Sequence, residues 1–296
     1  MSSLDLMESD ILAKVRRVEI KAKGLTQGSL SGSYKSAFKG RGMAFSEVRE
    51  YAIGDDVRDI DWNVTARYAS PHIKIFEEER ELTTMLLVDV SKSLDFGSTE
   101  QTKRELTAEL AATLAFATIR NKDKVGLILF SDKVELYIPA GKGRKHVLYL
   151  IRRILTYQPQ GKGTRPEVAL QLVQQVIKKR CTAFLISDFL AASQNYIQLL
   201  RHTAKRHDLV VIRVCDRRDA ELSPMGWTLF EDLETNSIRW VNTSSKRLRT
   251  QYKEKHKKMS QEISQMLQSS GVDFCKVNTG EDFVPALLLL FKQRSQ

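Results

Sequence analysis

The chain has 296 residues, of which 42% are hydrophobic and 28% are charged. These proportions are ordinary for a soluble globular protein, and they leave no apolar run long enough to cross a bilayer. The longest such run, at 284–291, is too short and contains Pro285. The first residues show neither the basic nor the apolar region of a secretory signal, so we expect a cytoplasmic protein.

The formal net charge is +11, which is compatible with an anionic membrane surface or a nucleic acid as partner. Basic residues are densest at 246–258, where helix-forming residues predict one helix with a solvated basic face. We therefore do not expect nucleic acid as the partner. The cysteines lie far apart in or beside apolar runs, which predicts buried reduced thiols. They are Cys181, Cys215 and Cys275.

The first 82 residues contain three kinds of pattern. Residues 4–22 carry apolar side chains at helical spacing, which predicts an opening helix. Residues 24–42 are rich in glycine, serine and lysine, which predicts an irregular loop. Residues 43–82 combine charges and aromatic residues without a clear period. We expect them to form a compact region of short strands and loops.

From residue 83 onward, apolar runs alternate with longer helical segments. This pattern is typical of an α/β fold with a largely parallel sheet covered by helices on both faces. In such sheets, ligands bind outside the carboxyl ends of the strands. The predicted strands are 84–90, 125–130, 134–138, 181–187, 209–214 and 273–277. The predicted helices are 100–120, 144–156, 166–179, 196–205, 245–269 and 285–292, with a polar hairpin at 227–241.

Three polar side chains stand at alternate positions where the first of these strands ends. Asp89 is followed by Ser91 and Ser93. Hard oxygen ligands at this position indicate a site for a hard divalent cation. A serine after a strand is also a common helix cap, so the short string alone does not decide between the two interpretations.

Two further segments supply oxygen atoms at the same predicted edge. Asp188 follows the strand at 181–187, and Thr164 lies in a glycine-containing loop before the helix that begins at Pro166. Each has a simpler alternative, since Asp188 could be a cap or turn residue and Thr164 a helix cap. Together with the first three residues they give two carboxylates and three hydroxyls. This set suits Mg²⁺, with Mn²⁺ or Ca²⁺ as alternatives, and does not suit zinc or copper.

The order of these five residues resembles the metal-ion-dependent adhesion site of von Willebrand factor A domains. That family has Asp-x-Ser-x-Ser, then a threonine in a later loop, then an aspartate after a following strand. The resemblance implies a six-stranded, mostly parallel Rossmann-like sheet flanked by helices. It also implies a magnesium ion held by Asp89, Ser91, Ser93, Thr164 and Asp188, with an open position for a partner's carboxylate. Lys92 departs from the family, which often has a small residue there.

The charged segment before the sheet indicates a more specific family. It runs from Gly40 to Tyr51 and from Gly54 to Trp62, followed by Ala66-Arg67 and by residues 76–80. In this it is similar to the family known as domain of unknown function 58 (DUF58), in which such a segment leads directly into a von Willebrand factor A-like domain. We expect an amino-terminal part at 1–80, made of the opening helix and the charged family-specific segment and packed on the main domain, and a von Willebrand factor A-like domain at 81–296. The resemblance implies an acidic protein partner, a MoxR-type AAA+ ATPase or its client, with peripheral association with membrane proteins as a further expectation.

Within this segment, acidic and basic residues are interleaved. We expect a buried network of ion pairs because the charges would neutralise one another. A docking surface made by the arginines is the alternative. The residues concerned are Arg49, Asp55, Asp56, Arg58, Asp59, Asp61 and Arg67.

The same strand end permits an enzymatic interpretation, since Mg²⁺ beside carboxylates can support phosphoryl chemistry. Haloacid-dehalogenase-like enzymes, however, need a second aspartate where this chain has Ser91. A P-loop is absent from the sequence, and the five histidines are not close to the proposed site in sequence. We therefore predict a non-enzymatic, metal-dependent interaction module. A Mg²⁺-dependent phosphohydrolase and a binder of nucleic acid or membranes through a basic surface are the alternatives.

Overall fold

The computed structural model describes residues 3–27, 29–38, 48–52, 54, 57, 60, 62–68, 70–74, 81–98, 100–189, 196–231 and 237–295. The chain divides into two compact units, of which the second is Phe38–Glu81. The first unit joins Met1–Ala37 to Leu82–Gln296. The opening helices thus group with the sheet in the first unit.

Helices and strands alternate along most of the chain. In order, they are α1 (Ser3–Gln27), α2 (Ser29–Phe38), β1 (Val48–Glu50), α3 (Trp62–Tyr68), β2 (His72–Lys74), β3 (Thr83–Asp89), α4 (Lys103–Arg120), β4 (Lys124–Phe130), β5 (Val134–Gly141), α5 (Arg144–Thr156), α6 (Pro166–Val176), β6 (Thr182–Ser187), α7 (Ile197–Arg206), β7 (Asp208–Cys215), α8 (Arg217–Ala220), β8 (Trp227–Glu231), β9 (Ile238–Asn242), α9 (Lys246–Ser269), β10 (Asp273–Asn278) and α10 (Val284–Arg294). A short 3₁₀ turn at Lys92–Asp95 follows β3.

The first unit is built around a sheet with the strand order β10-β7-β6-β3-β4-β5. All neighbours are parallel except β5, which pairs antiparallel with β4. The predicted α/β class, a mostly parallel sheet flanked by helices, is confirmed. In this order β3 and β6 are adjacent central strands, so their carboxyl ends lie side by side.

The central strands are buried on both faces, which explains why the sequence shows them as continuous apolar runs. Residues Met85–Val88 have no measurable exposure. One layer of the core joins alternate strand residues such as Leu87 and Leu185 to the apolar side of α6 and α9. Covering both faces removes the backbone of β3 and β6 from water, and this holds their carboxyl ends in fixed register.

The amino-terminal prediction was right about the first helix and wrong about the loop. The helix α1 continues to Gln27, and α2 occupies most of the predicted loop at 24–42. The physical reason lies in Leu30 and Tyr34, which are four residues apart and are buried to 1% and 2% exposure. The Tyr34 hydroxyl hydrogen-bonds to Thr84 and Thr118, so tertiary packing outweighs the low helix propensity of glycine and serine here.

The second unit contains two short strands, as expected, together with the helix α3. Strands β1 and β2 pair antiparallel, with Arg49 opposite Ile73. The proposed ion-pair network lies mostly outside the described residues, because Asp55, Asp56, Arg58, Asp59 and Asp61 are not among them.

The remaining elements follow the predicted positions closely, with two differences at connections. The helix α4 begins at Lys103 rather than at residue 100, because Thr102 caps it with a reciprocal hydrogen bond to Glu105. A single turn of helix, α8, was not predicted. None of the described helices has the length and apolar character needed to span a bilayer.

Candidate metal site at the carboxyl edge of the sheet

The centre of the candidate site is Asp89, the last residue of β3. Its side chain is 1% exposed. One carboxylate oxygen, Oδ1, accepts a 2.8 Å hydrogen bond from the backbone N–H of Ser91. The other, Oδ2, accepts a 2.6 Å hydrogen bond from the hydroxyl of Ser187 at the end of β6. The carboxylate is therefore oriented by the backbone just beyond its own strand and by the end of the neighbouring strand β6.

The two serines of the string lie next to each other beyond Asp89. The hydroxyls of Ser91 and Ser93 share a hydrogen bond of 3.0 Å. Ser91 occupies the cap position of the 3₁₀ turn, but its side chain makes no capping hydrogen bond. Ser91 is thus the cap residue by position, but its hydroxyl does not cap the turn. Its hydroxyl pairs with the hydroxyl of Ser93 instead.

The loop that carries Thr164 is tied to the ends of β4 and β5. The carboxylate of Glu135 accepts hydrogen bonds from the Ser131 hydroxyl at 2.6 Å and from the backbone N–H of Gly161 at 2.7 Å. Burial alone would raise the pKa of Glu135, but these hydrogen bonds outweigh it and hold that pKa below its ordinary value. The N–H of Arg165 donates to the carbonyl of Ser131 at 2.8 Å. The loop is thus fixed beside β4, the strand next to β3.

Arg104 connects this loop to the serine string. Its guanidinium donates to the carbonyl of Val90 at 3.2 Å and to the carbonyl of Tyr157 at 3.0 Å. Val90 lies between Asp89 and Ser91, and Tyr157 begins the segment that leads to Thr164. One side chain from α4 therefore holds both segments in a common arrangement.

Thr164 itself has an unusual environment. It is 4% exposed, and its buried hydroxyl oxygen has no hydrogen-bond partner among the described residues. The residue that caps α6 is Arg165, so the cap interpretation of Thr164 is wrong. An unsatisfied buried hydroxyl is costly, and Thr164 is one of several described residues that have such a buried polar atom.

Asp188 lies one residue beyond the end of β6 and is 1% exposed. The next residue, Phe189, has a φ of 56°, a conformation that is uncommon for residues other than glycine. This sharp turn lets the chain leave the sheet while the Asp188 carboxylate stays at its edge. Such backbone strain is often found at functional sites.

The carboxylate of Asp188 pairs with a buried lysine that the sequence analysis missed. The ammonium of Lys103, the first residue of α4, donates to Oδ2 of Asp188 at 2.9 Å. It also lies 3.2 Å and 3.3 Å from the two carboxylate oxygens of Asp219 in α8. Burial alone would lower the pKa of Lys103, but the charges of Asp188 and Asp219 outweigh it and raise that pKa.

Asp89 and Asp188 are close enough for their charges to interact. Burial raises the pKa of the Asp89 carboxyl, and the negative charge of Asp188 raises it further. The hydrogen bonds from Ser187 and Ser91 oppose this rise without cancelling it. Two carboxylates in a buried setting repel each other, and a cation between or beside them relieves that repulsion.

The sequence therefore predicted residues that the structure brings to one edge of the sheet. Asp89, Ser91 and Ser93 form one continuous group, Asp188 is its electrostatic neighbour, and Thr164 lies on the loop beside β4. Within the described residues, no group of three or more histidine, cysteine, aspartate and glutamate side chains is arranged to hold a metal. A cation at this edge would therefore depend on the hydroxyls as well as on the carboxylates.

The additional residues, Ser187, Lys103 and Asp219, had only weak sequence signals. Ser187 is a hydroxyl directly before Asp188, and it lies within the predicted strand. Lys103 is a cation in the first turn of a helix, where the helix dipole favours acidic residues instead. That mismatch was the one available indication that Lys103 has a partner elsewhere.

The chain is similar to a family of proteins and to several of its members. A family model described as "Protein of unknown function DUF58" matches residues 47–262. Uncharacterized protein Rv1480 of Mycobacterium tuberculosis is 35% identical over 237 residues, which cover 79% of this chain and 74% of the relative. Uncharacterized protein YeaD of Bacillus subtilis is 24% identical over 200 residues, which cover 66% of this chain and 45% of the relative.

Solved structures with a similar arrangement have low sequence identity. An aerotolerance-related membrane protein from Bacteroides fragilis matches with a TM-score of 0.49 and 14% identity, covering 72% of this chain and 98% of that one. The von Willebrand factor A domain of SpRpn10 matches with a TM-score of 0.40 and 15% identity, covering 72% of this chain and 95% of that one.

Proposed function

The chain belongs to the DUF58 family, and on that premise we propose that it is a non-enzymatic, metal-dependent protein-interaction module. In this proposal, Mg²⁺ is bound at the carboxyl ends of β3 and β6, at a metal-ion-dependent adhesion site. An acidic residue of a partner protein then completes the coordination of the ion. Mn²⁺ and Ca²⁺ are the alternatives for the metal.

The observation that carries the proposal is the environment of the five oxygen side chains. Two buried carboxylates, Asp89 and Asp188, repel each other, and the hydroxyls of Ser91 and Ser93 lie together beside Asp89. The buried hydroxyl of Thr164 has no hydrogen-bond partner in the described part of the chain. A hard cation would satisfy all three conditions at once, because it balances the charge and accepts hydroxyl oxygens as ligands.

The roles of the five residues follow from their chemistry. Asp89 and Asp188 would provide charge, and Ser91, Ser93 and Thr164 would provide neutral oxygen ligands, directly or through water. When bound, the ion supplies a coordination position that an external carboxylate can occupy. The two carboxylates balance the charge of the ion, and the three hydroxyl ligands add no further negative charge that would repel an acidic partner.

The partner in this proposal is an acidic protein. The net charge of +11 favours association with such a protein over long range. The family resemblance suggests a MoxR-type AAA+ ATPase or its client, with the module acting in chaperone-like assembly or a stress response.

The test combines removal of the metal with removal of its main ligand. The full-length protein, its Asp89→Ala variant and an Asp282→Ala variant would be used as bait in a lysate of the source cells, with Mg²⁺ or with EDTA. Asp282 is an exposed carboxylate in the turn before α10, so its removal serves as the matched control. Proteins captured by the wild type and by Asp282→Ala in Mg²⁺ would be identified, purified and titrated against each variant.

The expected result is binding that requires both Mg²⁺ and Asp89. Equal affinity in EDTA and in the Asp89→Ala variant would refute the metal-dependent mode. The phosphohydrolase alternative is tested separately with generic phosphoesters. If the wild type hydrolyses them in a Mg²⁺-dependent reaction that Asp89→Ala abolishes, phosphohydrolysis replaces protein interaction as the proposed function.

A second candidate function, binding to an anionic membrane surface, is favoured by the hairpin β8–β9. Trp227 and Trp240 are 67% and 66% exposed, and Leu229 and Ile238 are also exposed. Leu229 pairs directly with Trp240, and alternate residues of a strand share a face, so all four lie on one side of the hairpin. The exposed lysines of α9 follow this hairpin in the chain, and tryptophan and lysine together are typical of membrane-surface contacts.

Vesicle sedimentation distinguishes this candidate from the first. The wild type should bind vesicles that contain phosphatidylglycerol and not pure phosphatidylcholine, and high salt should weaken the binding. The Trp227→Ala/Trp240→Ala variant should lose it, whereas Tyr149→Ala, which removes an exposed aromatic residue from α5, should retain it. Failure of the wild type to sediment with anionic vesicles would exclude this function and leave the metal-dependent module unaffected.

A further inference from the structure

Lys103 is the one described lysine whose side chain is among the largest that are fully buried. Its side chain is 1% exposed, and it stands at the start of α4, where the helix dipole disfavours a positive charge. A lone ammonium in that position would be strongly destabilising. The two carboxylates that the ammonium contacts therefore stabilise its charge in this buried position.

These two carboxylates have different relationships to the candidate metal site. Asp188 is one of the five proposed metal ligands, and the Lys103 ammonium lies 2.9 Å from its Oδ2. Asp219 belongs to α8 and is not a proposed ligand, and both of its oxygens lie within 3.3 Å of the ammonium. Lys103 is therefore shared between a residue of the metal site and a residue next to it.

Lys103 supplies part of the positive charge that a bound metal would supply. Its positive charge balances Asp188, as a bound divalent cation would. A cation held by Asp89 and Asp188 would be repelled by the ammonium through a medium of low polarity, where such repulsion is poorly screened. Asp219 offers the ammonium a second partner and so reduces the competition for Asp188.

On the basis of the proposed function, we infer that Lys103 is a positioning residue that sets the affinity of the site for a divalent cation. It holds the Asp188 carboxylate in place before the metal binds, and it opposes the metal by like charge. Asp219 moderates this opposition by drawing the ammonium toward α8. In the absence of a partner, the protein therefore binds Mg²⁺ more weakly than it would if the five oxygen ligands acted without Lys103. The carboxylate of the partner then contributes to retention of the ion.

Two substitutions in the same ion-pair cluster should have opposite effects. Lys103→Met removes the positive charge and should raise the affinity for Mg²⁺ by about tenfold or more. Asp219→Asn leaves Asp188 as the remaining carboxylate partner shown for the ammonium, and should lower the affinity by a few-fold to about tenfold. A purely structural role for Lys103 predicts instead that both variants bind the metal equally well or more weakly.

A surface lysine provides the matched control. Lys253 in α9 forms a 2.6 Å ion pair with Glu221, and its side chain is 63% exposed. Because that pair is screened by water, Lys253→Met should leave the affinity for Mg²⁺ unchanged. This control separates the effect of the buried charge from the effect of one unit of net charge on the whole protein.

The experiment is calorimetric titration of Mg²⁺ alone into each full-length variant after removal of metals with EDTA. Thermal unfolding with EDTA and with millimolar Mg²⁺ accompanies it. Lys103→Met removes the ammonium that pairs with Asp188 and Asp219, so it should unfold at a lower temperature in EDTA. Mg²⁺ should restore more stability to this variant than to the wild type. If the variant is unfolded in EDTA, refolding on addition of Mg²⁺ is the supporting observation.

The outcomes separate this inference from the proposed function. Mg²⁺ binding by the wild type with unchanged or weaker binding by Lys103→Met overturns the role of Lys103 and leaves the metal site standing. Binding by Lys103→Met without binding by the wild type supports the inference and shows that Lys103 replaces the metal in the natural protein. Absence of binding in both overturns both ideas.

Discussion

The hydroxyl of Ser187, at the end of β6, donates a 2.6 Å hydrogen bond to Oδ2 of Asp89, at the end of β3. Both residues are buried, and the bond crosses between two adjacent parallel strands. It fixes the orientation of a carboxylate whose other oxygen is held by the backbone of Ser91. Partners of this kind usually influence metal affinity even though they do not touch the metal.

Ser187→Ala should therefore weaken Mg²⁺ binding by about tenfold, because the carboxylate of Asp89 loses one of its two orienting donors. The Ser187 hydroxyl also accepts a 3.1 Å hydrogen bond from the backbone N–H of Phe189, so the substitution removes two buried hydrogen bonds. The free energy of unfolding should therefore fall by about 1–3 kcal/mol. Calorimetric titration and urea unfolding measure the two effects. Ser244→Ala, which changes an exposed serine before α9, is the control, and an equal effect of both variants on metal affinity would contradict the prediction.

The loop of Thr164 offers a test with two glycines two residues apart. A Cβ atom on Gly161 would lie 2.0 Å from Oδ1 of Asp132 and 2.1 Å from Oγ of Ser131, which is too close for either atom. A Cβ atom on Gly163 would lie 3.9 Å from its nearest neighbour, the Cβ of Asp132, which is an ordinary contact. An alanine at position 161 would therefore have to displace both side-chain oxygens, whereas an alanine at position 163 would displace nothing.

Gly161→Ala should displace the loop and disturb the hydrogen bond between Ser131 and Glu135. We expect it to reduce the free energy of unfolding by about 1–3 kcal/mol and to weaken Mg²⁺ binding as Thr164 moves away. Gly163→Ala should change both quantities little. Equal metal affinities for the two variants would show that the position of this loop does not matter for the site.

The strand ends could be predicted from the sequence because buried parallel strands appear as continuous apolar runs. Asp89 and Asp188 each follow such a run, and their convergence depends only on the adjacency of β3 and β6. The partners of these residues could not be predicted in the same way. Lys103 reaches Asp188 across 85 positions of sequence, and a lysine at the start of a helix usually faces water.

The missed helix α2 illustrates a different limitation. Local composition, with glycine and serine throughout 28–33, favours a loop. The stabilising contacts of this segment come from the burial of Leu30 and from the hydroxyl of Tyr34, which reaches β3 and α4. These contacts are tertiary, so periodicity within a short polar window does not disclose them.

Tyr34→Phe tests how much this tertiary contact contributes. The Tyr34 hydroxyl lies 3.1 Å from that of Thr84 and 3.0 Å from that of Thr118. Since Thr118 can also donate to Thr84 at 3.3 Å, the two threonines are not left unpaired, and the loss should be about 1 kcal/mol. Urea unfolding measures it. The exposed Tyr149→Phe should show no change, and a similar loss there would argue against a specific role for Tyr34.

Glu19 predicts an acid dependence of stability. Its carboxylate accepts hydrogen bonds from the Arg144 guanidinium at 2.5 Å and 3.0 Å. These bonds lower the pKa of Glu19 from 4.5 to about 2, with a further contribution from Lys23. A lowered pKa means that the stabilisation is fully present above pH 4.5 and is lost as the pH falls toward 2.

Glu19→Gln should therefore reduce the free energy of unfolding at neutral pH by about 1–2 kcal/mol, a value discounted because Arg144 is largely exposed. The difference from the wild type should shrink steadily below pH 4.5. Urea unfolding of both proteins at neutral pH and at several acidic values measures this trend. Glu221→Gln, which removes an exposed ion pair, is the control, and a pH-independent deficit for Glu19→Gln would contradict the assignment.

The placement of the candidate site on β3 and β6 has a consequence for amide hydrogen exchange. Each of these strands has hydrogen-bonded neighbours on both sides, while the edges of the sheet are β5 and β10. Backbone amides of central strands exchange mainly through global opening, whereas edges and termini exchange through local fluctuations. The interiors of β3 and β6, which lead to Asp89 and Ser187, should thus be among the slowest to exchange, and a ligand bound at their ends would leave by dissociation from an intact sheet.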